Sequence, residues 1–116
     1  MTAWPTELKL DKDKRALFVT FDDARRYELP AEMLRVLSPS AEVQGHSPEQ
    51  RVTVPGKKNV HITRLEPVGN YAVRITFDDG HDTGLYVWDY LRDLGENGEA
   101  RFQSYLDELA AKGLTR

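Results

Sequence analysis

The residues with the richest chemistry in this chain are three histidines, His46, His61 and His81, and cysteine is absent altogether. Without thiols there is no disulfide framework, no thiolate zinc site, no iron–sulfur cluster held by this chain alone and no cysteine nucleophile. His81 lies in the run Phe77-Asp78-Asp79-Gly80-His81-Asp82, where an imidazole and carboxylates at a turn tip suit a divalent ion. The same run is a hairpin signal, since Gly80 supplies the positive φ that a tight turn needs. One histidine and three aspartates within five residues cannot all face one ion, so a metal site needs a ligand from elsewhere. His46 is the candidate, and the candidate metal set is His81, His46 and Asp82, holding zinc or iron. His61 alternates with Val60 and Ile62, which puts it on the polar face of a strand, solvated or hydrogen-bonded. No His-x-His, His-x-x-x-His or His-x-Asp spacing sets two ligands on one element.

Other catalytic templates fail on spacing. Gly45, Gly56, Gly69 and Gly80 are isolated, so no phosphate-cradling loop exists. Ser38, Ser40 and Ser47 have no nucleophile-elbow pattern around them. The pairs Asp22/Asp23 and Asp78/Asp79 are adjacent residues at turn tips, which point apart rather than flanking a glycosidic bond.

Elements must position whatever chemistry remains. Residues 70–77 alternate, with Tyr71, Val73, Ile75 and Phe77 on one side, which marks a half-buried strand. Residues 15–21 alternate likewise, residues 60–65 form a weaker strand, and residues 7–10 a short one. Helices are expected over residues 31–37 after Pro30, over residues 86–94 stopped by Gly95, and over residues 99–112, where Phe102, Leu106 and Leu109 form an apolar stripe. Asn97 is the expected cap of the last helix, and Gly113 is placed to end it. Val19-Thr20-Phe21-Asp22-Asp23 matches Ile75-Thr76-Phe77-Asp78-Asp79, and Leu29 matches Leu85 at the same offset. The chain therefore reads as a repeated ββα unit. The expected class is α+β: a small antiparallel or mixed sheet of five or six strands covered by two or three helices.

The 116 residues carry 16 basic and 19 acidic side chains, a net charge of -3, and a mean hydropathy of -0.59. That length suits one domain, residues 1–116. The charge gives no reason to expect nucleic acid, and apolar runs of four residues at most give none to expect a membrane span. A soluble, cytoplasmic protein is the expectation. Residues 38–58 form a long stretch rich in Ser, Pro, Gly and Gln, read either as a binding loop or as a poorly ordered connection. Tyr86, Trp88 and Tyr90 crowd one short helix, too many for a single buried face. Together with Ser38, Ser40 and Gly45 of the loop they make the candidate partner surface, for another protein or a second copy.

Residues 29–46, from Leu29-Pro30-Ala31-Glu32-Met33-Leu34-Arg35 through Ser38-Pro39-Ser40 to Gly45-His46, resemble one signature of the gamma-butyrobetaine hydroxylase-like N-terminal domain family. Val68-Gly69-Asn70-Tyr71-Ala72-Val73 and Phe77-Asp78-Asp79-Gly80-His81-Asp82-Thr83-Gly84-Leu85-Tyr86-Val87-Trp88 resemble a second. The resemblance implies the stand-alone form, without the iron- and 2-oxoglutarate-dependent catalytic domain, and hence no hydroxylase activity. In the hydroxylases it implies a structural zinc held by three cysteines and a histidine. Those ligands fall on Ser38, Ser40, Val43 and a position at or near His81, so the thiolates are missing. Similar domains occur on P-loop scaffold proteins of iron–sulfur cluster assembly.

Three functions follow as expectations. The first is a non-catalytic accessory or protein-interaction domain. The second is a metal-binding protein, for iron or zinc, linked to iron–sulfur or cofactor assembly. The third is a small enzyme of unknown reaction.

Overall fold

The computed structural model describes residues 4–45 and 48–116. Strands β1 (Pro5–Leu10), β2 (Ala16–Phe21) and β3 (Arg26–Pro30) form one antiparallel sheet in that order. Helix α1 (Ala31–Val36), a single turn α2 (Ala41–Gln44) and a 3-10 turn (Pro48–Gln50) follow. Strands β4 (Ile62–Val68), β5 (Ala72–Phe77) and β6 (Leu85–Val87) form the second antiparallel sheet, and α3 (Trp88–Ala111) closes the chain. The class is α+β with six strands, as the periodicity implies, but the strands divide into two three-stranded sheets. Alternation explains the core: Leu17, Val19 and Phe21 of β2 and Val73, Ile75 and Phe77 of β5 are all buried, and α1 and α3 cover them with Leu34, Leu91 and Leu94.

The expectations for the C-terminal helices are corrected. Two C-terminal helices with a break at Gly95 are one continuous helix of 24 residues, and it begins two residues later than expected. Tyr86 belongs to β6, where it is buried between exposed Leu85 and Val87. Gly95 and Gly98 do not stop the helix; they let neighbours approach it. A Cβ on Gly95 would stand 2.5 Å from the Tyr27 ring, and one on Gly98 2.9 Å from the Met33 sulfur. Asn97 lies inside the helix, bonding Asp93, rather than capping it. Gly113 does end it, at a φ of 67°.

The repeat is deeper than its sequence echo: each unit is βββα. β1 and β4 share a register shift at the same place, between Pro5 and Glu7 and between Ile62 and Arg64. At each bulge a threonine hydroxyl bonds the opposite strand, Thr6 to the Thr20 carbonyl at 3.2 Å and Thr63 to the Thr76 carbonyl at 3.3 Å. The helices lock the units together reciprocally. Arg35 of α1 holds Asp79 of the second unit's hairpin at 2.7 Å, and Arg92 of α3 holds Asp23 of the first at 2.7 Å.

Candidate functional site

Helix α1 stops at Val36 because Ser38 precedes Pro39, and the residue before a proline is driven out of helical geometry. The chain turns back over the second hairpin. Ser40 then caps α2, its hydroxyl accepting the Glu42 N–H at 3.1 Å. On the hairpin side, the Asp79 carboxylate accepts the His81 N–H at 3.0 Å and fixes the turn. Gly84 lets the loop come close, since a Cβ there would stand 2.6 Å from the Ser38 hydroxyl.

These elements bring Ser38 and His81, 43 residues apart, into a buried contact of 2.9 Å between Oγ and Nε2. His81 Nδ1 lies 3.3 Å from Glu42 Oε2. Thr83 donates to the same carboxylate at 3.1 Å, Ser40 and Thr83 hydroxyls meet at 2.6 Å, and the Ser40 N–H donates to Ser38 Oγ at 3.2 Å. The directions are set by the carboxylate, which accepts only. Thr83 and His81 Nδ1–H point to Glu42, and a neutral imidazole then accepts from Ser38 at Nε2. Burial, reinforced by nearby Arg35, pushes the His81 pKa down and favours that neutral form, against the pull of Glu42, Asp79 and Asp82. Beneath it, Asp79 takes both Arg35 and Lys57 at 2.7 Å. Burial works against that carboxylate, but Lys57, the His81 N–H and Arg35 together hold it well below the usual range.

Serine, histidine and glutamate in this order are the arrangement of a hydrolase triad. Here Ser38 is 0% exposed and His81 8%, so no substrate reaches the oxygen. The circuit is a clasp that pins the loop after α1 to the hairpin.

Beside the clasp lies an open cleft of about 540 Å³ between that loop and α3. Leu37, Pro39 and Arg51 line it from the segment after α1, and Tyr90, Arg101 and Tyr105 line it from α3. The tyrosine hydroxyls donate to backbone carbonyls, Tyr90 to Leu37 and Tyr105 to Val54. Their rings are thus fixed in place, Tyr105 buried and Tyr90 half-buried with the Arg101 guanidinium over its ring. Burial pushes both phenols up, Tyr105 to about 12.

The expected site residues scatter. His81 is in the clasp, Asp82 is exposed, and His46 lies outside the described residues. Among the described residues no three His, Asp or Glu side chains converge to hold an ion. His61 bonds Asp78 at 3.2 Å, as its strand face implies. The partner surface is corrected: Tyr86, Ser38 and Ser40 are buried, because Tyr86 fills the core under α1 with its hydroxyl on the Leu34 carbonyl and the serines are consumed by the clasp. Trp88 is half-buried with its indole N–H on the Asn70 carbonyl, Tyr90 is half-buried in the cleft, and Gly45 is half-buried against Gln50. Glu42, Thr83 and Arg35 were not singled out by spacing. The only signal for the first two was their offset of two from Ser40 and His81. The zinc site implied by the hydroxylases does not fit, since Ser38 and Ser40 offer hydroxyls and buried Val43 offers no donor.

Fold and site define a small duplicated α+β domain closed by a polar clasp. The model for the family "Gamma-butyrobetaine hydroxylase-like, N-terminal" matches residues 8–92, and the chain belongs to that family. Two proteins solved by NMR in solution are similar over nearly their whole lengths. One is 44% identical, with a TM-score of 0.86 over 100% of this chain and 91% of the other. The second is 49% identical, with a TM-score of 0.84 over 99% and 86%. A crystal structure of a protein of unknown function from Acidithiobacillus ferrooxidans, of the DUF971 family, is 36% identical with a TM-score of 0.65 over 78% and 91%. No curated protein matches. Among the described residues no helix is long and apolar enough to cross a membrane.

Proposed function

We propose that this domain is a non-catalytic accessory module that binds a protein partner in the cleft between α3 and Leu37, Pro39, Gln44 and Arg51. The cleft itself supports this reading most directly. It joins the two regions expected to meet a partner, it has the volume of a binding site, and it combines the half-buried Tyr90 ring with two guanidinium groups. Tyrosine and arginine are the residues that anchor interfaces most often. The partner that fits is an extended segment with an acidic side chain beside apolar ones, because the five N–H donors of a guanidinium let Arg51 and Arg101 take a second carboxylate beside Glu108 and Asp93. The sealed Ser38–His81 contact supports the non-catalytic half of the reading.

A photo-crosslinking residue at Ser104, on the cleft rim, tests it against the same residue at Lys9, on exposed β1. A discrete adduct from Ser104 alone is expected. An adduct of twice the chain mass would identify a second copy as the occupant. Equal labelling at both positions, or none, would overturn the proposal.

A further inference from the structure

The clasp occupies the positions where the hydroxylase resemblance implies a zinc ion, and its geometry speaks to that ion directly. A hydroxyl oxygen and an imidazole nitrogen bound to one tetrahedral zinc stand about 3.4 Å apart, and a thiolate and an imidazole about 3.6 Å. Ser38 Oγ and His81 Nε2 are 2.9 Å apart. The two groups touch across a proton, and nothing the size of an ion fits between them. The rest of the circuit is complete as well. Ser38 gives its proton to His81 and accepts the Ser40 N–H; Ser40 gives its proton to Thr83 and accepts the Glu42 N–H. Thr83 and His81 both end on the Glu42 carboxylate. Every hydroxyl proton has an acceptor within the circuit, and neutral hydroxyls are not among the ligands that hold structural zinc. Val43 lies one helical turn after Ser40 and is 2% exposed, so it faces inward and offers no donor.

We infer that this chain closes the loop after α1 onto its second hairpin with a direct hydrogen bond in place of a zinc ion. The same backbone remains a latent zinc site, which the triple substitution Ser38→Cys, Ser40→Cys, Val43→Cys together with His81 would open. One backbone thus supports two fastenings: a short hydroxyl–imidazole bond, or thiolates pushed outward by a metal. The clasp needs neither metal supply nor reducing conditions, whereas the zinc form depends on both. This inference is independent of the cleft reading, since it concerns what fastens the loop and not what the cleft holds.

The test compares the wild-type chain and the triple variant, both without a histidine tag, by elemental analysis and thermal melting with zinc or a chelator. The wild-type chain is expected to bind less than a tenth of an equivalent of zinc, with a melting temperature unmoved by either reagent. The triple variant is expected to bind one zinc per chain and to give a tetrahedral thiolate spectrum with Co²⁺. Its melting temperature should rise by roughly 10 °C when zinc is added. Adding His81→Ala to the triple variant should weaken zinc at least tenfold. Should the triple variant fold only with zinc, that too supports a metal-dependent fastening. Stoichiometric zinc on the wild-type chain with a raised melting temperature would overturn the inference, as would a folded triple variant that binds zinc no more tightly than wild type. A Ser38→Ala chain gives an independent reading. It should melt several degrees lower with and without chelator alike, and a chelator-dependent difference would count against a metal-free clasp.

Discussion

The two βββα units are nearly superimposable in their hydrogen bonding, yet only one carries a site. Each hairpin closes with the same pair of bonds: Phe21 N–H to the Arg25 carbonyl and Ala24 N–H to the Phe21 carbonyl in the first, Phe77 to His81 and Gly80 to Phe77 in the second. Each offers an aspartate to the other unit's helix. The difference begins at the helix that follows. In the second unit α3 runs on for 24 residues, so the first hairpin is met by helix side chains, Arg92 and Glu96, in an open ion-pair cluster. In the first unit α1 ends after six residues, and the chain beyond it folds back over the second hairpin. Arg25 of the first hairpin therefore stays in water, whereas His81, its counterpart, is buried under Ser38. A proline after α1 is thus the local cause of a buried polar site in one unit and not the other.

The largest expected contrast lies in the reciprocal aspartates. The Asp79 side chain is 18% exposed and pairs with both Arg35 and Lys57 while holding the His81 N–H. Asp79→Ala leaves two cations facing each other in a half-buried place and loosens the clasp. It should cost about 2 kcal/mol in urea unfolding, between the values for exposed and fully buried pairs. The Asp23 side chain is 44% exposed, so water and salt take over much of its role, and Asp23→Ala should move the unfolding midpoint far less. Equal losses from the two variants would show that the hairpins are energetically equivalent despite their different cover.

The echo between the two hairpins was legible in the sequence because both keep Phe-Asp-Asp before a turn. The matching first strands were not, because Pro5–Leu10 and Ile62–Val68 share little beyond Thr6/Thr63 and Leu8/Leu65, and what they repeat is a backbone bulge. Gly95 misled for a related reason. A glycine that ends a helix and one that admits a tyrosine ring look alike until the neighbouring strand is placed. At the site, His81 was visible as a chemically distinct residue, and the family resemblance paired its turn with the Ser38 loop. Glu42 and Thr83 were not visible, because a carboxylate and a hydroxyl in polar stretches look solvated until a distant segment lands on them.

Acid sharpens the same contrast. Asp79 titrates in the folded state well below its ordinary value of 3.8, and Asp23, held chiefly by its Arg92 hydrogen bonds, at about 2. A carboxylate lowered on folding contributes stability that is fully present above the unfolded value. That contribution is lost as pH falls through the folded one. Both contributions should therefore be intact above pH 5 and fade below about pH 4. Asp79→Asn should flatten the acid limb of the wild-type urea midpoint, so that the two curves converge towards pH 2. Asp23→Asn should flatten it less, because the exposed pair is screened, and 0.5 M salt should remove most of that smaller effect. An acid limb that survives both substitutions unchanged would place acid sensitivity outside the two latches.

The smallest contrast sits at the hairpin tips and tests the repeat without touching the clasp. Ala24 and Gly80 are equivalent, both left-handed, at φ of 69° and 89°. An L side chain in that region costs roughly 1–2 kcal/mol, while glycine gives back roughly 0.5–1 kcal/mol through its freer unfolded chain. Ala24→Gly should then stabilise the protein by about 0.5 kcal/mol. Gly80→Ala should destabilise it by a similar amount, since a Cβ at Gly80 meets nothing within 4 Å and strain is the whole effect. The pair is self-checking, because equal and opposite shifts in the urea midpoint follow only if the two turns have the same backbone energetics. A loss at Gly80 several times the gain at Ala24 would mean that the second tip cannot relax. The restraint would have to come from His81, one residue on, anchored by Ser38 where Arg25 in the first hairpin is anchored by nothing buried.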